Sequence, residues 1–321
     1  MRRILVTGGT GFLGSALVRR LISLGHFVRV IDNEFRSSID RLKSCKDQID
    51  WVKGDIRDPK AVLTSMENID TVIHLAAING TKFFYERPDL VLDVGVRGIL
   101  NVLDGCKKWE ISDLIVASSS EVYQTPLKIP TDEKEPLKVP DVSNPRYSYG
   151  GSKIITELLA MNYQGTPRQR TVIFRPHNVY GPDMGGEHVL PELIVKILKS
   201  IKSHPSGPLP LEIQGSGHES RCFIHIDDMV DGIVLLMESG KHRQIYHVGN
   251  PEEISMADLA QKLAAYFGRN LALKPGPLSL GSTLRRCPSI EKIKQLGFSP
   301  KISLDQGLAS IVEWYRKNHK K

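Results

Sequence analysis

Cysteine is scarce: the 321 residues hold four, Cys45, Cys106, Cys222 and Cys287, with no CxxC pair among them. That spacing indicates neither a zinc site nor a disulfide framework, so no metal is expected and a reducing cytoplasm is. No apolar run approaches 18 residues, and the opening MRRILVTGGTG is too short in hydrophobic residues for a secretory leader. A membrane partner is therefore not expected. Aromatic residues make up 7% and do not interleave with the basic ones. The net charge of +7 is scattered rather than striped, which argues against a nucleic-acid binder. Only the terminal RKNHKK (316–321) gathers charge, as a frayed tail. Elsewhere the excess offers general attraction to anionic ligands. Internal repeats and low-complexity segments are also missing.

What is present is an ordinary globular mixture, 40% hydrophobic and 25% charged, with length for one large or two modest domains. Short runs rich in β-branched residues recur through the first half: ILVT (4–7), FVRVID (27–32), DWVKGD (50–55), TVIHLAA (71–77), LIVASS (114–119) and TVIFRP (171–176). They lack clean alternation, which predicts strands buried on both faces. Helical patterns lie between them. FLGSALVRRLISLG has apolar residues at 13, 16, 17, 21 and 24 and a closing Gly25. Strand–helix alternation predicts an α/β fold, a doubly wound parallel sheet with helices on both faces. Beyond residue 176 Pro and Gly accumulate, as in HPSGPLP, QGSGHES and KPGPLSLGS. A domain over 1–175 and a smaller C-terminal α/β substrate lobe over 176–321 are expected, interleaved through strand 245–250 returning to the core sheet.

The first strand runs directly into TGGTGFLG, where Gly8, Gly11 and Gly14 have G-x-x-G-x-x-G spacing and open a helix. In that context the glycines permit a tight turn, close approach of a pyrophosphate, and close helix–strand packing. Anionic phosphates then meet the unpaired N–H groups of the helix start. This is the Rossmann type of dinucleotide site. Asp32 ends the second strand, where a carboxylate accepts hydrogen bonds from the adenosine ribose and repels a 2′-phosphate, which favours NAD over NADP. Arg36, four residues on, is read as a solvated side chain. Asp55 and Ile56 either flank the adenine or form a plain strand-end turn.

YSYGGSK (147–153) puts Tyr149 and Lys153 one helical turn apart, on one face of a helix. Lowering a tyrosine from about 10 to 7 requires roughly 4 kcal/mol. A lysine charge about 4 Å away in an effective dielectric of about 20 supplies a similar amount. Burial opposes it, and a positive nicotinamide ring would make up the difference.

With TGGTGFLG, HLAA (74–77), SSSEVY (118–123), YGGSK (149–153), RPHNVYGP (175–182), SRCFIHIDD (220–228) and RRCPSI (285–290) in this order, the chain resembles the extended short-chain dehydrogenase/reductases. Within them it is most similar to the NAD-dependent nucleotide-sugar epimerase/dehydratase group. The resemblance implies Tyr149, Lys153 and Ser119 as the catalytic set, with Glu121 where dehydratases and decarboxylases carry a glutamate. It implies that Phe12, Leu13, Leu75, Ala76 and Ala77 join the glycines around NAD. For a nucleotide-diphosphate sugar it implies Ser119, Ser120, Asn178, Arg221 and Arg286, with Leu190 in the segment VLPELI covering the base. Ser120 stands where dTDP-glucose-type dehydratases have an aspartate, Gln124 where glycine follows V-Y, and Gly95 where asparagine is usual. His177 is an extra acid/base or a structural residue. The activity implied is C4 oxidation to a 4-keto sugar, then 4-epimerisation, dehydration or decarboxylation. A homodimer through the helices about 90–106 and 150–163 is also implied. The competing readings are an NADPH-dependent ketone reductase and a non-catalytic redox sensor. Asp32, Arg221 and Arg286 weigh against the first, and the retained Tyr149 and Lys153 against the second.

Overall fold

The six apolar runs of the first half form parallel strands: β1 (Arg3–Thr7), β2 (Phe27–Asp32), β3 (Ile49–Lys53), β4 (Thr71–His74), β5 (Asp113–Ala117) and β6 (Arg170–Pro176). A computed structural model describes residues 1–163, 165–166, 168–278 and 282–318. Residues 279–281 of KPGPLSLGS and 319–321 of the terminal basic run therefore lie outside the described residues. The strands lie in the order β3-β2-β1-β4-β5-β6, and a seventh, Gln244–Val248, pairs in parallel with β6. The order reverses between β1 and β4, which opens a crevice at the carboxyl ends of the strands.

Strand residues alternate between two cores. Ile4 and Val6 face one side with the helices Phe12–Ser23 and Ile226–Ser239; Leu5 faces the other with Pro88–Lys108 and Ser148–Asn162. Each fully buried aliphatic side chain contributes about 1.5–3 kcal/mol, so both faces must be covered. The sheet is thus doubly wound. Gly95 has a packing reason. A Cβ there would sit 2.8 Å from Cβ of Ser152, and the two helices could not approach as closely.

β4 ends three residues before the apolar run does. The Leu75 N–H still donates to the Thr7 carbonyl at 3.2 Å and is shared with Thr7 Oγ1, while the Ala76 N–H donates to Oγ1 at 3.2 Å. β3 likewise stops at Lys53, before Gly54 and Asp55.

The second half adds a third core around Leu190, Ile194, Leu209, Leu259 and Leu308. It carries a parallel pair, Leu209–Gln214 with Leu271–Gly276, and a small sheet in which Ser220–Cys222 lies between Glu253–Ser255 and Arg285–Arg286. No described helix is long and apolar enough to cross a membrane.

A buried ion pair joins β6 to the helix Ser148–Asn162. Arg175 meets both carboxylate oxygens of Glu157, at 2.7 and 2.6 Å, and the side chains are 2% and 5% exposed. Ser118 also donates to Glu157. Removing one partner strands a charge. Glu157→Ala is expected to cost about 3–5 kcal/mol, and replacing Glu157 and Arg175 together by methionine to cost less, as read from urea unfolding midpoints.

Candidate active site

At the switch point lies a cavity of about 440 Å³. Its floor is the glycine loop. Gly8 has φ +73° and donates its N–H to the Ile31 carbonyl at 2.9 Å. A Cβ on Gly8 would lie 2.9 Å from the Ala76 backbone, and one on Gly14 would lie 2.1 Å from the Gly8 carbonyl oxygen. Gly11 caps the helix with no side-chain hydrogen bond, so the first-turn N–H groups face the crevice uncapped. A turn packed too tightly for a Cβ at Gly8 or Gly14, leading into an open helix start, fits a pyrophosphate-binding loop.

Phe12, Leu13, Asp32, Asp55, Ile56, Leu75, Ala76 and Ala77 line the same cavity. Asp32 accepts from the N–H groups of Thr10 (3.1 Å) and Glu34 (2.8 Å). Asp55 forms the strand-end turn and also lines the cavity. It accepts from its own turn at Arg57 N–H, 2.8 Å, and the Arg57 guanidinium 2.7 Å away holds its carboxyl down at about 2.

Ser119, Ser120, Glu121, Tyr149 and Lys153 form the wall beyond the glycine loop. Tyr149 stacks on Phe84 with ring centres 5.0 Å apart. Burial pushes its phenol up to about 12, a hydrogen bond with Ser119 pulls it down, and the Glu121 charge adds to the rise. Lys153 is not spent on the phenol. Its Nζ donates to the Ala117 carbonyl at 2.8 Å and lies 5.9 Å from the Tyr149 ring centre. The strong acidification expected from the lysine alone is therefore absent. Burial lowers Lys153 itself to about 8, with Glu157 resisting.

Glu121 is no free surface carboxylate. Oε1 lies 2.6 Å from Arg286 and Oε2 3.6 Å from Arg146. Burial alone would raise its pKa, but the charges of Arg286 and Arg146 outweigh burial and hold it below the usual value. Arg146 lines the cavity too, and Nε of both arginines has no partner among the described residues. Sequence reading missed Arg146, although NPRYSYGGSK places it three residues before Tyr149.

Two expected substrate residues lie off the cavity wall. Leu190 is fully buried in the core of the second half. Arg221 donates to the carbonyls of Ser220, Thr283 and Leu284, bracing the strand that carries Arg286. Asn178 does reach the cavity, at φ +37°, with Nδ2 donating to the Cys222 carbonyl at 2.8 Å. His177 points away, its ring 4.6 Å from that of His247. Burial, then the neighbouring His247 and arginines, drives its pKa well below the ordinary value, so it stays neutral. Gln124 holds φ +54°, a left-handed conformation that glycine adopts without strain.

The profile of the NAD dependent epimerase/dehydratase family matches residues 4–249. The chain belongs to that family. It is 32% identical to UDP-glucuronic acid decarboxylase 1 of Arabidopsis thaliana, over 98% of this chain and 70% of that one. It is 30% identical to a putative UDP-glucose 4-epimerase of Methanocaldococcus jannaschii, over 99% of both. Among solved family members, a dTDP-glucose 4,6-dehydratase from Streptomyces venezuelae with NAD bound superposes with a TM-score of 0.88. That pair shares 28% identity, over 99% of this chain and 98% of the other. The relatives thus span three outcomes, decarboxylation, epimerisation and dehydration, within one family of NAD-dependent nucleotide-sugar enzymes.

The depressed lysine carries a sign. Between pH 8 and 10.5 the unfolded chain holds the Lys153 proton and the folded protein does not, so this group's penalty on folding is relieved as pH rises. The stability of the native protein relative to Lys153→Met is expected to climb across that window by up to about 3 kcal/mol, as followed by urea unfolding.

Proposed function

We propose that the protein oxidises a nucleotide-diphosphate sugar at C4 and returns the hydrogen to the opposite face, a 4-epimerase. The observation that carries this is the placing of Tyr149 and Ser119, with Lys153 one turn away, together on the wall of the glycine-floored cavity. NAD, when bound there, accepts hydride from the sugar and gives it back. Gly8, Gly11, Gly14 and the open helix start would hold its pyrophosphate, and Asp32 its ribose.

Tyr149 takes the C4 hydroxyl proton, and Ser119 orients that hydroxyl. The phenol at about 12 is too weak a base unaided. The positive charge that NAD brings makes up the shortfall, so proton removal is coupled to cofactor binding. Elimination of water needs an acid for the leaving hydroxyl. Ser120 has no carboxyl, and Glu121 is held ionised by its arginines, so dehydration is the least supported outcome. Epimerisation needs no such acid.

A second reading, decarboxylation of a 4-keto uronic acid, is favoured by Arg146 and Arg286. Two guanidiniums share one carboxylate there, a local excess of positive charge that suits a substrate carboxylate. The deciding experiment incubates the protein with UDP-, GDP-, CDP- and dTDP-hexoses and hexuronates in D2O and reads the products by NMR. Inversion at C4 without exchange at C5 is expected. Loss of the carboxylate with deuterium at C5 supports the second reading. Turnover of a small ketone with NADPH, and of no sugar nucleotide, overturns both. Tyr149→Phe should lower turnover by about 10²–10⁴ while NAD still binds.

A homodimer is proposed on the face made by Pro88–Lys108 and Ser148–Asn162, which leaves Leu92, Ile155 and Leu158 exposed. Leu158 is 58% exposed. Leu158→Glu is expected to shift sedimentation from dimer to monomer.

A further inference from the structure

The segment after β2 carries two arginines that face the adenosine end of the cavity, Arg36 and Arg41. Ser37 is folded back over that end, its Oγ 2.6 Å from Oγ1 of Thr10, whose N–H in turn donates to Asp32 at 3.1 Å. A free guanidinium in this place is a ready partner for a ribose phosphate, because it makes paired, charge-assisted bonds to phosphate oxygens. Neither guanidinium is free. Both are met by carboxylates from 183–187, a stretch of the second half that crosses the cavity mouth. Nη2 of Arg36 lies 2.5 Å from Oε2 of Glu187. Nε of Arg41 lies 3.0 Å from Oδ2 of Asp183, and its Nη2 also reaches the Asp183 carbonyl at 2.9 Å.

The Arg36–Glu187 pair is fitted in place. The Arg36 guanidinium carbon stacks 4.8 Å from the Phe83 ring centre. Beneath the pair is Gly80, where a Cβ would come within 2.5 Å of Glu187 Oε2 and 3.2 Å of Arg36 Nη1. Glu187 and Arg36 each line the cavity, so the carboxylate also presents its charge to whatever the ribose carries.

We infer that Glu187 is a cofactor-specificity residue: by neutralising Arg36 it denies a 2′-phosphate its cation and so adds to the preference for NAD over NADP set by Asp32. The inference rests on reading the cavity as a dinucleotide site. It assigns discrimination to two carboxylates of different origin, one at a strand end and one from the second half. Asp32 repels the phosphate directly; Glu187 withholds its partner.

The test is a competitive partition that needs no sugar substrate. Native protein, Glu187→Gln, Asp32→Ala and the double variant are equilibrated with a large equimolar excess of NAD and NADP, and free dinucleotide is removed. Acid then releases what is bound, and chromatography gives the NADP:NAD ratio. A phosphate gaining one charge-assisted partner should raise the ratio about ten- to a hundredfold in the double variant over Asp32→Ala alone. Adding Arg36→Ala should cancel that gain. A ratio in the double variant within about twofold of Asp32→Ala overturns the inference while leaving the dinucleotide site intact. Retention of neither dinucleotide by the native protein overturns the site and the inference together.

Discussion

A lysine ammonium and a glutamate carboxylate, one helical turn apart and both shut away from water, set the position of the helix that carries Tyr149. Lys153 and Glu157 are each under 5% exposed, and burying either without a partner would cost several kcal/mol. Each is therefore tied to a strand of the sheet. Lys153 is bonded to the last carbonyl of β5, at Ala117, and Glu157 to Arg175 near the end of β6. These two tethers fix the rotation and height of the helix Ser148–Asn162. Tyr149, one turn before Lys153 on the same face, is thereby aimed at Ser119, which follows β5. The geometry of the cavity wall that carries Tyr149 results from charges that cannot be left unpaired.

The same burial sets a limit on the chemistry. A dry pocket raises a phenol and lowers an ammonium, and both effects oppose a tyrosinate beside a protonated lysine. Tyr149 at about 12 and Lys153 at about 8 are what the protein provides by itself. Such a site keeps its base protonated until a cation enters. Bound NAD would supply that cation through its positive ring, and on the function proposed above Tyr149 would then be the group that takes and returns the sugar proton.

Much of this was legible in the sequence because it is local. The strand runs, the glycine loop, the Tyr149–Lys153 spacing and the Gly25 stop depend on neighbours a few residues apart. Where β4 ends was not legible, since the Ala76 N–H turns to a hydroxyl on Thr7, a residue of a different strand. Glu157 drew no attention in the sequence, because its partner lies eighteen residues on, in another element. Arg221 and Leu190 differ from their expected setting in the opposite way. Their motifs are in place, but carbonyls of 283–284 occupy one and the core of the second half swallows the other. Arg146 and Glu187 carry no pattern at all; only tertiary contact brings them to Glu121 and Arg36.

The two ends of the cavity differ in how their charge is balanced, and that difference orients a ligand. At the adenosine end each arginine has its own carboxylate: Arg36 with Glu187, Arg41 with Asp183, while Asp32 adds a negative charge. At the Tyr149 end two arginines, Arg146 and Arg286, share Glu121, and Arg221 stands behind them, shifted down to about 10 by burial and by the Arg286 charge. The field therefore rises from the ribose site toward the catalytic wall. A second anionic ligand entering beside a bound dinucleotide is drawn to the end where a cation is in excess, which is also where the tyrosine waits. Glu121 compensates Arg286 and Arg146 in the protein itself, and on the function proposed above a substrate phosphate or carboxylate would join that cluster as a second anion.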